Sequence, residues 1–472
     1  EEQLESVLDS IDPQARPAAA AVGAQGGDNE SQELCSVVME LPLQKAVEEL
    51  ARVAPAGMLL SRNMGIVANL HDASKISKSA GERLAEKCCS VTDEVLLAES
   101  EENRVALLGI CARYGYIRLL DRLLELFEDR LILVPCVAEK SLLFSMPQLP
   151  VHSAIKAGIE DTAILLLEKM KAMDALGVLD ADGRNLLHCS YGWPGITAFL
   201  LRSMPYDALL QKDAYGNPPL MHGLAAGYKS HRGFRDSVQL MAEVMDAPDM
   251  AAIPGLLDVA VQQIYAVAGA YIAEKLRGFP ETFYCNSLTP FHNVTSSTPL
   301  PLVRSLVEHA PRETLAHVSL TGDNCLHLLV NGARWHIADV LEVLVEAAPK
   351  EALLAANSEG RTILHMACSM LQLPVLRAML PHLPQEAYYQ KTVTGRTAVC
   401  ISSRLLASAE GFYDDDRMEQ LVECFKFLLL HAPRDAWNIP DERGNTAASI
   451  LEDSYPDFAC EFFAPNVKSA AV

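Results

Sequence analysis

Long apolar runs are missing from this 472-residue chain. No stretch approaches the roughly 18 residues that a membrane-crossing helix needs, so no span is expected. Basic residues are scarce: Lys and Arg number 39 against 61 Asp and Glu, a formal net charge of -22 at pH 7. That balance excludes nucleic acid as an expected partner, because binding a phosphate backbone takes clustered cations. It points to a protein partner with a basic surface. The twelve cysteines contain no CxxC pair, so no zinc site is expected and no metal or other cofactor is assigned. Set in apolar helical contexts, as at Cys111, Cys189 and Cys368, they read as buried free thiols of a reducing, cytoplasmic compartment. The opening EEQLESVLDS lacks the basic start and apolar core of a secretory signal. Also absent are a G-x-x-x-x-G-K-[ST] phosphate loop, an H-E-x-x-H zinc helix and a G-x-S-x-G nucleophile elbow, each of which would bring a defined chemistry.

Half of the residues are hydrophobic, enough for a large core. Residues 1–32, with PQARPAAAAVGAQGGDNESQ, hold few large apolar groups and read as a disordered leader. From about Glu33 onward apolar residues recur at helical spacing. One twelve-residue frame then repeats: proline, any residue, Asp or Glu, Ala or Thr, a large apolar residue, six more positions and glycine. It runs Pro205 to Gly216, Pro311 to Gly322, Pro349 to Gly360, Pro384 to Gly395 and Pro433 to Gly444. Each proline follows a Leu- and Val-rich segment such as PLVRSLVEHAP and reads as the stop of a helix, since proline cannot continue its hydrogen bonding. The Asp/Glu-Ala that follows is expected to open a loop. Asp213-x-x-Gly216, Asn357-x-x-Gly360 and Asp441-x-x-Gly444 then supply turn chemistry with glycine at positive φ.

A second signature follows the glycine, in its fullest form Gly360-Arg361-Thr362-Ile363-Leu364-His365-Met366-Ala367. Thr362 can cap a helix, His365 can bond locally across the turn, and Leu364 with Ala367 offers a close-packed face. Equivalent positions hold His71, His152, His188, Thr289-Pro290-Phe291-His292 and His327; Gly183 closes a turn like that of Gly216, Gly322, Gly360, Gly395 and Gly444. The pattern resembles the ankyrin repeat family, with its Thr-Pro-Leu-His-x-Ala signature and period of about 33 residues. That resemblance implies an all-α solenoid of helix-turn-helix repeats with short β-hairpin loops, and a concave surface of hairpin tips and first-helix faces that binds a protein. Register marks at His71, Gly109, His152, His188, Met221, His292, His327, His365, Cys400 and Ser449 leave one step of 71 residues, from 221 to 292. A degenerate unit around Leu256-Leu257-Asp258-Val259-Ala260 fills it, for about eleven units in all. The expected organisation is a leader at 1–32, diverged units at 33–145, an array at 146–463 with a degenerate stretch at 223–286 and an acidic insertion at 407–420, and a tail at 464–472.

Several residues carry competing readings. The register histidines are explained by local hydrogen bonding rather than by ligation or catalysis. Asp182, Tyr215, Glu359 and Arg443, just before the turn glycines, are candidate partner contacts. Trp193 and Trp335 suit either an interface or packing on the next unit. Phe412, Tyr413, Asp414, Asp415 and Asp416 form a docking loop for a basic partner, a weak cation site or simply a solvated insertion. The sequence therefore favours a non-enzymatic scaffold or adaptor, monomeric and cytoplasmic. The alternatives are a secreted microbial effector that binds a host protein in the same mode, and a diverged enzyme with its site in 223–286.

Overall fold

The computed structural model describes residues 70, 74, 78–135, 148–226, 232–263, 265–285, 288–332, 337–409 and 415–454. Two compact units divide the chain, Glu1–Pro219 and Leu220–Val472. Among the described residues each is an all-α stack of helix-turn-helix repeats, with no strand and only an isolated bridge between Cys285 and Leu288.

In the first unit the helix pairs are Glu101–Tyr114 with Ile117–Leu126, Pro150–Ala157 with Glu160–Ala172, and Leu186–Cys189 with Pro194–Ser203. In the second, Leu256–Gln262 pairs with Ala266–Lys275 and the short turn Pro290–Asn293 with Leu300–His309. Cys325–Gly332 with Ala338–Ala347, Ile363–Met370 with Leu373–Met379, and Ala398–Ala409 with Asp415–His431 follow, then Ala447–Ser454. The pair at 256–275 lies within the 71-residue step of the repeat register. The helices form where the pattern calls for them. Ile117–Leu126 buries Leu119, Leu120, Leu123 and Leu124 on one stripe, each contributing roughly 1.5–3 kcal/mol by leaving water.

The Pro-to-Gly frame does more than stop a helix. Each proline carbonyl accepts the N–H three residues on: Ala208 at 3.0 Å, Thr314 at 3.0 Å, Ala352 at 2.9 Å, Ala387 at 3.0 Å and Ala436 at 3.0 Å. The expected loop opening is thus one helical turn: Tyr206–Leu209, Arg312–Leu315, Lys350–Leu354, Gln385–Tyr388 and Arg434–Asn438. The reason is packing. The small fourth and large fifth frame residues are buried every time, as Ala208 and Leu209, Thr314 and Leu315, Ala352 and Leu353, Ala387 and Tyr388, and Ala436 and Trp437. A single turn brings both onto the core, whereas an open loop would expose one of them.

The glycine of each frame sits in the left-handed region, with φ between 67° and 84° at Gly183, Gly216, Gly322, Gly360, Gly395 and Gly444. At Gly360 the backbone also approaches closely, since a Cβ there would lie 2.8 Å from the Val393 nitrogen. Positive φ and close approach together leave only glycine comfortable. The described residues of the insertion expected at 407–420 are helical. Ala398–Ala409 and Asp415–His431 extend into it from both sides.

Candidate functional site

Four of the hairpins are built by a buried or half-buried Asx side chain, while Ser319 and Thr392 take its place in two others. Asp180 Oδ1 accepts the N–H groups of Asp182 at 2.9 Å and Arg184 at 3.0 Å. Asp213 does the same for Tyr215 and Asn217, both at 2.9 Å. Asn357 serves Glu359 and Arg361, both at 3.0 Å, and Asp441 serves Arg443 and Asn445, both at 2.9 Å. Within each unit successive hairpins are then tied sideways. Ala214 N–H donates to the Asp182 carbonyl at 2.9 Å. In the second unit, Ser358 N–H donates to Thr321 O and Val393 N–H to Glu359 O, both at 3.1 Å. The result is a rigid edge of backbone that presents tip side chains at regular intervals.

The register histidines lock this edge to the helices. Asn185 with His188, Thr289 with His292 and Thr362 with His365 form reciprocal capping boxes. Nδ1 of His327 likewise accepts the Asn324 N–H at 3.2 Å, and Asn324 Oδ1 accepts the His327 N–H at 3.1 Å. The other ring nitrogen donates across the joint to the next hairpin: His188 to Asn217 O at 3.0 Å, His327 to Arg361 O at 3.1 Å and His365 to Arg396 O at 3.2 Å. The cap amides of Asn185 and Asn324 reach the Ala208 and Ala352 carbonyls of the next frame, at 2.7 and 2.8 Å. Burial lowers the pKa of His365 to about 4 and depresses His292 and His327 as well. Neutral rings that both accept and donate suit structural bonding.

His152 occupies the same helix position without the cap. Leu149 stands where the units of His188, His292, His327 and His365 have Thr or Asn, and among the described residues neither ring nitrogen of His152 has a hydrogen-bond partner. It is 1% exposed, and burial lowers its pKa to about 4. His71 lies outside the described residues.

Among the candidate contacts, Tyr215 is 72% exposed at its tip. Asp182 and Glu359 are engaged locally, paired with Arg184 at 2.8 Å and Arg361 at 3.0 Å. Arg443 is exposed at the last described tip. Trp193 is half-buried, its ring so close to Gly158 that a Cβ there would meet it at 2.1 Å. It packs on the preceding repeat. Trp335, Phe412, Tyr413 and Asp414 lie outside the described residues, while Asp415 and Asp416 begin the helix Asp415–His431. Sequence reasoning missed two exposed aliphatic tips, Leu320 at 98% and Val393 at 67%. They stand two residues before the turn glycine rather than one, and an isolated Leu or Val between polar neighbours is a weak signal.

Two other places could hold chemistry. A groove of about 390 Å³ in the second unit is lined by Ile337, Leu371, Val375 and Cys424 together with Arg417 and Glu423. Within 223–286, the Asp258 carboxylate meets the Cys285 thiol and, at 3.3 Å, the Asn293 amide. Burial, reinforced by Asp258, pushes the thiol up, the opposite of what a thiolate nucleophile requires. Among the described residues, no group of three His, Cys, Asp or Glu could hold a metal ion, and no helix is long and apolar enough to cross a membrane.

No family model matches the sequence, and no curated protein does. A search of solved structures aligns the ankyrin repeat domain of Bcl-3, described as a unique member of the IkappaB protein family, with 50% of this chain. The alignment covers 96% of that domain at 20% identity and a TM-score of 0.35.

Proposed function

We propose that the chain is a non-catalytic protein-interaction module, a scaffold or adaptor that holds its partner on the hairpin tips and neighbouring first-helix faces. One observation carries this reading. Leu320, almost fully, and Val393, by two thirds, project into water from hairpins whose backbones are tied through the intervening 357–361 hairpin. Large apolar side chains held rigidly in solvent at repeat spacing serve binding, because they contribute nothing to the core and lose little entropy when covered. The net charge of -22 favours a partner with a basic surface by accelerating encounter. The free thiols of the described cysteines accord with a reducing, cytoplasmic setting.

The test is affinity capture with the Leu320→Ser/Val393→Ser double variant beside wild type. Removing exposed tips changes stability by less than about 0.5 kcal/mol, so an unchanged melting temperature with loss of a captured protein supports the reading. Equal capture of every protein by both forms would count against these tips. A parallel deletion of residues 409–417 asks whether the acidic insertion contributes.

A further inference from the structure

Asp258 stands where two other repeats of the second unit carry a joint histidine, His327 and His365. It is the third residue of the helix Leu256–Gln262, the position of His365 in Ile363–Met370. The residue before that helix is Gly255 in the left-handed conformation, so no side chain caps it. Where His365 donates to a backbone carbonyl of the next hairpin, Asp258 meets the Cys285 thiol of the hairpin closed by the Cys285–Leu288 bridge, and the Asn293 amide. Asn293 is itself held by Gln262 at 3.2 Å. Among the described residues the second carboxylate oxygen has no hydrogen-bond partner, although Asp258 is only 8% exposed. Where His327 and His365 bond through both ring nitrogens, this position holds an acid whose ionised form leaves a buried oxygen unsatisfied.

We propose that this joint is a proton-controlled link: the repeat of residues 256–275 stays docked on that of residues 288–309 while the Asp258 carboxyl is protonated, and opens more readily once it is ionised. Among the described residues the surroundings supply no compensating cation. The hairpin contributes the neutral thiol of Cys285, and the turn Pro290–Asn293 contributes His292, whose Nδ1 accepts the Thr289 N–H and whose ring lies edge-on to His317. The packed helix Ala266–Lys275 carries Tyr271, Glu274 and Lys275, and the Lys275 ammonium is held by the Ala242, Glu243 and Met245 carbonyls. Burial is the leading effect on Asp258, raising its pKa from 3.8 to about 6 against the bonds from Cys285 and Asn293. A folded value above the unfolded one places the stabilisation at low pH. It is complete below 3.8 and lost as pH rises through 6, a change of about a hundredfold in the opening constant, of which about tenfold falls between pH 5 and pH 8. In a repeat array such a joint is a local event, since stability passes only between neighbouring repeats.

Hydrogen exchange of the full chain at pH 5 and pH 8, corrected for intrinsic exchange rates, reads the opening directly. Peptides covering 256–275 should open about tenfold more at pH 8 in wild type, and Asp258→Asn should abolish the rise while peptides from Ile363–Met370 show none. A flat wild-type response, or the same rise in Asp258→Asn, would overturn the proposal. Should that variant fail to fold, carbon-13 titration of Asp258 in wild type decides the matter: a midpoint near 6 supports it, and one in the ordinary carboxylate range refutes it.

Discussion

His365 Nε2 lies 3.2 Å from the carbonyl oxygen of Arg396, the last residue of the next hairpin, while its Nδ1 accepts the N–H of Thr362 at the start of its own helix. One imidazole therefore joins a helix cap to the following repeat. His365→Ala removes both bonds and leaves a cavity in a fully buried site, a loss of about 2–4 kcal/mol. Urea denaturation should show it. A loss under about 0.5 kcal/mol would mean that the joint is held by apolar packing alone.

Acid should weaken the histidine joints. Burial lowers the His365 pKa from 6.5 to about 4, so the unfolded chain takes up this proton first. The stabilisation is present above pH 6.5 and is lost as pH falls through 4, to a limit of about 3 kcal/mol for a single such group. The pH slope of the denaturation midpoint between 6.5 and 4 should shrink in His365→Ala. The Asp258 joint runs the other way over the same range, which makes the two separable in one exchange experiment.

His152 is a buried ring with neither nitrogen bonded among the described residues. His152→Leu, of similar volume, removes that penalty and should raise the stability of the first unit by about 1 kcal/mol, as well as its resistance to acid. Destabilisation by the same amount would reveal a partner for the ring that the described residues do not include.

Two frame glycines separate strain from contact. Gly360 and Gly444 both have positive φ, but a Cβ on Gly360 would press on the Val393 nitrogen at 2.8 Å, whereas one on Gly444 meets nothing within 4 Å. Gly444→Ala should cost about 1 kcal/mol from backbone conformation alone. Gly360→Ala should cost at least twice that, because the Val393 to Glu359 hydrogen bond must also yield. Equal melting temperatures for the two variants would show that the hairpin edge is compliant.

Trp193 belongs to packing. Trp193→Ala should lower the stability of the first unit by about 2 kcal/mol, somewhat below the range for a fully buried tryptophan because it is half-exposed. A variant of unchanged stability that loses a binding partner would return Trp193 to the interface.

The repeat could be read from the chain because its signals are local. Proline at each frame start, glycine at its end, and histidine three residues after Thr362 or Thr289 act within one turn of backbone, where spacing alone dictates who can bond to whom. The turn after each proline was harder to read. Pro-x-Asp/Glu-Ala suits either a loop or a helical turn, and the choice falls to the core that Ala208 and Leu209, or Ala436 and Trp437, must reach. The exposed tips Leu320 and Val393 gave little sign of themselves, because exposure belongs to the stack and not to the residue.

By itself the sequence determined the helical class, the period, the turn glycines and the caps, all of which depend on contacts between residues a few positions apart. Tertiary structure decided what the same positions do once repeats are stacked. His365 becomes a joint because Arg396 O arrives from 31 residues away. His152 is left unpaired because Leu149 cannot cap it. Asp258 becomes a buried acid because Cys285 and Asn293 close over it, and burial, which sets both its charge and the cost of that charge, arises only when one repeat lies against the next.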